Sequence, residues 1–70
     1  PEMKNSIRVE RAVLRISQQE LADRVGVSRQ TINAIESCRY IPSGLVMMKI
    51  AFVFQKSVND IFALEDEDWK

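Results

Sequence analysis

Two helix starts separated by one tight corner constrain this chain more than anything else in it. Ser17 is followed by Gln18-Gln19-Glu20-Leu21-Ala22-Asp23-Arg24-Val25, then Gly26-Val27-Ser28, then Arg29-Gln30-Thr31-Ile32-Asn33-Ala34-Ile35-Glu36. Ser17 with Glu20 three residues on reads as a capping box: the hydroxyl accepts the amide of the third helical residue, and the carboxylate reaches back. Gly26 supplies the left-handed conformation that ends a helix, and Ser28 offers a second N-cap two residues later. The next helix must therefore start within one turn of the previous one and leave it steeply, which is helix-turn-helix geometry.

The second helix of the pair has a divided surface. At about 100° per residue, Ile32 and Ile35 share one side, and Arg29, Gln30, Asn33, Ala34 and Ser37 share the other. That outward side is polar, small and free of acid, whereas a merely solvated face is more often written in Glu and Lys. An Arg fork matches guanine O6 and N7, and Gln or Asn can pair with adenine N6 and N7. Arg29, Gln30 and Asn33 are thus suited to reading base edges. Placed directly after the capped corner, they point to duplex DNA as the partner.

The apolar spacing predicts helices over residues 5–14, 18–25, 29–37, 44–54 and 58–63. Ile7, Leu14, Ile16, Leu21, Val25, Ile32, Ile35, Met47, Ile50, Ala51, Phe54, Val58, Ile61 and Phe62 supply one stripe per helix and together one core. The fourth helix has more apolar surface than such a core can absorb. With Met47, Ile50, Ala51 and Phe54 turned inward, Leu45, Met48 and Phe52 fall together on the opposite side, broken only by Lys49. A helix apolar nearly all round must bury its second face somewhere, and a second copy of the chain is the expected cover. Leu45, Met48 and Phe52, with Leu64 beyond the last helix, form the expected dimer interface. Trp69 is placed over that patch, at the dimer contact as an anchor, or in a frayed end.

Composition removes other classes. The 70 residues, 46% of them hydrophobic, suit one small globular domain spanning 1–70, with 1–4 and 65–70 as flexible ends. The chain has no His and one Cys, Cys38, so no zinc site, internal disulfide or Cys-His nucleophile is expected, nor any cofactor, metal or enzymatic activity. Cys38 itself reads as a small apolar residue packed under a loop. No apolar run approaches the ~18 residues of a membrane span, and Pro1-Glu2-Met3-Lys4 lacks a signal-peptide stretch, so a cytoplasmic protein with no membrane partner is expected. Net charge is zero, but it is unevenly spread: Glu65-Asp66-Glu67-Asp68 form an acidic block, and residues 1–64 carry nine bases against six acids, or +3. So mild a basic charge implies that DNA affinity depends on doubling it in a dimer and on helix N-termini.

From Arg11 to Ala51 the chain resembles the Cro and lambda-repressor (XRE) helix-turn-helix domains. The resemblance is carried by Ser17-Gln18, Leu21-Ala22, Gly26-Val27-Ser28, Arg29-Gln30-Thr31-Ile32, Ile35-Glu36, Pro42-Ser43 and Lys49-Ile50-Ala51. It implies an all-α, five-helix bundle that binds a palindromic operator as a homodimer, with the third helix in the major groove, and regulates transcription as a repressor. It also implies base contacts from Arg29, Gln30 and Asn33, and backbone contacts from Gln18, Ser28, Ser37, Arg39 and Tyr40. Arg11 and Glu36 match positions that pair between the first and third helices. The other class open to this fold is an antitoxin-like protein-interaction module using the apolar face of the fourth helix. Four positions depart from the family pattern. Arg15, Cys38 and Gln55 stand where Gly or Asn usually closes a helix, so those loops either follow another path or carry strain. Gly44 stands where Leu is usual, at the start of the fourth helix.

Overall fold

Helix starts are written locally in this protein, and the computed structural model, which describes residues 3–70, begins its helices at the caps. The elements run β1 (Lys4–Asn5), α1 (Ile7–Leu14), α2 (Gln18–Val25), α3 (Arg29–Glu36), α4 (Gly44–Phe54), α5 (Val58–Ile61) and β2 (Phe62–Ala63), followed by a 3₁₀ turn at Asp66–Trp69. Ser17 Oγ accepts the Glu20 amide at 3.0 Å, Ser28 Oγ that of Thr31 at 3.1 Å, and Ser43 Oγ that of Val46 at 3.3 Å. The Ser43 cap starts α4 at Gly44, so the missing leucine does not displace it. The reciprocal half of the expected box at Ser17 is not formed, because the Glu20 carboxylate turns to Arg24 one helical turn on. A capping box starts α5 instead: the Ser57 amide donates to Asp60 Oδ2 at 3.2 Å, and that bond holds the Asp60 carboxyl below its ordinary range.

Five helices surround one core of Ile7, Ile16, Leu21, Ala22, Val25, Ile32, Ile35, Ile50, Ala51, Phe54, Ile61 and Phe62. α2 packs on both α3 and α4, and α4 on α5. Met47 and Val58 pack at the edge of this core instead of inside it. Leu14 departs further from expectation: it is 43% exposed, because the chain turns left-handed at Arg15 and Ile16 takes the inward position.

Both ends of the predicted helical set are trimmed by one feature that periodicity does not show. Lys4–Asn5 pairs antiparallel with Phe62–Ala63, in the register Lys4↔Ala63 and Asn5↔Phe62. The first helix therefore starts at Ile7 instead of residue 5, and the fifth ends at Ile61 instead of 63. The terminal stretches expected to be flexible carry local structure at Lys4 and over 66–69, and positions 1 and 2 lie outside the described residues. Trp69 is largely exposed. Glu10 is a charged residue at the edge of the core; Lys56 Nζ reaches its carboxylate at 2.8 Å and ties α1 to the loop after α4. That hydrogen bond and the Glu10 charge hold the Lys56 ammonium above its ordinary range.

Three helix ends carry strain. Arg15, Cys38 and Gln55 keep the left-handed conformation, with φ of 57°, 63° and 56°, despite their Cβ atoms. At the corner between α2 and α3 the same geometry falls on Gly26, φ 86°. A Cβ placed there would meet nothing within 4 Å, so a substitution costs backbone strain alone. Gly26→Ala is expected to destabilise the domain by about 1 kcal/mol, lowering the melting midpoint by roughly 4–8 °C for a chain of this size. An unchanged thermal melt would show that the corner relaxes to another path.

Candidate nucleic-acid interface

The exposed side of α3 is assembled by its two buried isoleucines. Ile32 and Ile35 are sunk in the core, which turns Arg29, Gln30 and Asn33 outward. Arg29, Gln30, Asn33 and Ala34 line one shallow concavity together with Arg39, which reaches in from the loop after the helix. Two guanidinium groups, two amides and a methyl therefore share one surface. This is a donor-rich set with acceptors interspersed, the chemistry needed to match base edges and phosphates.

Behind that surface runs a chain of polar contacts anchored on a buried acid. The Glu36 side chain is only 1% exposed. Its Oε2 accepts Arg11 Nε at 2.6 Å, and its Oε1 accepts Arg11 Nη2 and Gln18 Nε2, both at 3.2 Å. Arg8 Nε stands 3.7 Å from the same carboxylate. Arg11 also donates through Nη1 to the Ile16 carbonyl at 3.1 Å. The pair thus bridges α1 and α3 with two parallel bonds, the strongest arrangement open to Arg and carboxylate.

The carboxylate also sets the polarity of the hydrogen bonds leading out to the surface. Because Glu36 only accepts, Gln18 must turn its NH₂ group inward and its oxygen toward α3. Gln18 Oε1 then faces Asn33 Nδ2 at 3.5 Å, and Asn33 Oδ1 accepts Arg39 Nη2 at 2.8 Å. Arg39 Nε donates to Ser37 Oγ at 2.8 Å, while the Ser37 hydroxyl lies against the carbonyls of Asn33 and Ala34. Asn33 is held from both sides, at one end by a residue of α2 and at the other by the loop.

The structure therefore groups the expected site residues differently from the sequence. Arg29, Gln30 and Asn33 stand together, and Arg39, expected only at the backbone, joins them. Gln18, expected to face phosphate, is partly buried with its amide between Glu36 and Asn33. Ser28 Oγ is occupied in capping α3 and contacts Thr31 Oγ1 at 2.9 Å. Tyr40 lies exposed in the loop. The Gln18 link was missed because its partners are 15 and 18 positions away and no local spacing announces them. Among the described residues no cluster of His, Cys, Asp or Glu is arranged to hold a metal ion, and no helix is long and apolar enough to cross a membrane.

A capped α2, a glycine corner and an α3 with a polar exposed face are the parts of a helix-turn-helix protein. A helix-turn-helix family model matches residues 7–61. An uncharacterised HTH-type transcriptional regulator of Methanocaldococcus jannaschii is 46% identical over 66 residues, which are 94% of this chain and all of that protein. The HTH-type regulator YgzD of Bacillus subtilis, also uncharacterised, is 44% identical over the same share of each chain. The P22 c2 repressor, solved in complex with a synthetic operator, superposes with a TM-score of 0.73 at 32% identity, covering 76% of this chain and 80% of that one. The chain belongs to the XRE-type helix-turn-helix family of transcriptional regulators, and it is a DNA-binding regulator, not an enzyme.

Proposed function

We propose that the protein is a homodimeric repressor that acts in the cytoplasm by occupying a palindromic operator. The observation that carries this reading is the single concavity shared by Arg29, Gln30, Asn33, Ala34 and Arg39 on the exposed side of α3. Inserted in the major groove, Arg29 grips a guanine while Gln30 and Asn33 address adenines. Gln18, Ser28, Ser37, Arg39 and Tyr40 surround this set and meet the backbone, which fixes register. Two such units read half-sites about one helical turn apart, roughly 34 Å.

The dimer rests on α4. Leu45, Met48 and Phe52 are 65%, 66% and 82% exposed, and Leu64 lies exposed beyond β2. No segment among residues 3–70 covers them. A twofold axis beside this face would bury the patch in both copies, since an isologous contact uses one surface twice.

Selection from a random duplex pool tests the reading. An enriched palindrome is the expected result; a pool with no enriched sequence would turn the apolar face of α4 toward a protein partner instead. On the selected operator, Arg29→Ala is expected to lose about 1–3 kcal/mol and to relax preference at one base pair of each half-site. Titrations against single-base operator variants check it. Uniform weakening on every variant would move Arg29 to the phosphates.

A further inference from the structure

We propose that Asn5 is a positioning residue for α3, clamping the end of that helix from the opposite end of the chain. Asn5 precedes α1, yet its Nδ2 donates to the Ile35 carbonyl at 2.8 Å, a bond spanning 30 residues. Its Oδ1 accepts the Ile7 amide at 3.2 Å. One amide thus satisfies the first turn of α1 and the last turn of α3 together. An ionised Asp could supply the acceptor but not the donor; the amide offers both on separate atoms.

The clamp acts at the last turn of α3, one residue before the Glu36 that Arg11 holds. At its start the helix is joined to α2 by the short corner, and Glu36 is held to α1 by Arg11. Its last carbonyls depend on the loop beyond it. Ile35 O accepts the Cys38 amide at 3.0 Å and Ala34 O the Arg39 amide at 2.9 Å, both across the strained left-handed Cys38. Asn5 adds a bond from outside this loop, with Cys38 Sγ 3.9 Å from the same Nδ2. Asn5 is itself held. Its register partner is Phe62, and the adjacent Ser6 amide donates to Ile61 O at 2.9 Å. The β1–β2 pair therefore connects the segment carrying Leu64 to the loop that places Arg39 over Asn33. Its function is to hold α3 and Arg39 at one tilt, so that the reading surface is formed before DNA arrives.

Asn5→Asp separates the two bonds. The carboxylate still accepts from Ile7, but it cannot donate to Ile35 O and it sets a negative charge at the negative end of α3. In the DNA-free variant, hydrogen exchange at the Cys38 and Arg39 amides is expected to accelerate about tenfold, the scale of one lost hydrogen bond, while the amides of α2 and α4 keep their protection. A second measurement rests on the DNA reading: the ratio of affinities for the selected operator and for a random duplex should fall by a similar factor, with random-duplex affinity unchanged. A merely structural residue would lower both affinities together. If the carboxylate unfolds the domain, Asn5→Ala removes the donor without adding charge and gives the same local readout. Unchanged exchange at 38 and 39 in a folded variant overturns the clamp. A wild type with no duplex preference overturns the DNA reading alone, since the exchange measurement needs no DNA.

Discussion

Phe52→Glu is expected to yield a folded monomer whose DNA binding has largely collapsed. Phe52 is 82% exposed on α4, facing away from Ile50, Ala51 and Phe54, so the substitution removes nothing from the core. Folding should survive. Association should not, because the change replaces apolar area, worth ~25 cal/mol per Å² when buried, with two like charges brought together across or near the twofold axis. DNA affinity falls because each half-site must then be bound independently, without the effective concentration that a linked partner provides, a factor of roughly 10² or more. Sedimentation equilibrium at tens of micromolar reads the first effect, and titration of the operator reads the second. A wild type that is already monomeric, or a variant that remains a dimer, removes this interface from the proposal.

Arg11→Ala is expected to be the most damaging single change to the fold. Glu36 lies in the interior at 1% side-chain exposure, and Arg11 supplies two of the bonds on its carboxylate. Removing one partner of such a pair leaves a buried charge, at a cost of about 3 kcal/mol or more. A chain of this length has only ~4–10 kcal/mol in total. Gln18 and the more distant Arg8 remain near the carboxylate, so the lower end of that range is expected. Arg11→Lys should recover only part of the loss, since a point charge cannot repeat the paired geometry. Urea unfolding at constant slope gives the number. A loss under about 1 kcal/mol would class the contact with ordinary surface ion pairs.

Much of the candidate site was legible because it is short-range. Which residues share the outer side of α3 is set by 3.6-residue periodicity once Ile32 and Ile35 are taken inward, and the place of α3 is set by Ser28. Leu45, Met48 and Phe52 were separable from the inward residues of α4 by the same argument. What periodicity does not contain is which exposed polar group meets which. Gln18 and Arg39 were both legible as polar residues near α3. That one turns its oxygen toward Asn33 and the other its guanidinium depends on Glu36, a charge whose burial no single helix reveals.

The sequence by itself determined where four helices start, at Gln18, Arg29, Gly44 and Val58, because a cap is settled by atoms within three residues of one another. It determined the glycine corner for the same reason. Tertiary structure alone decided the β1–β2 pair, which trims the first and last helices, and the exposure of Leu14 in favour of Ile16. Arg15, Cys38 and Gln55 stay left-handed despite their Cβ atoms, each bracketed by backbone bonds that close its own helix end: Ile16 to Arg11, Arg39 to Ala34 and Lys56 to Ala51. The bonds Asn5–Ile35, Lys56–Glu10 and Arg11–Glu36 join residues 25 to 46 positions apart. Such contacts form only after the chain has closed on its core, so their partners are chosen by the assembled helices and not by any local stretch of the chain.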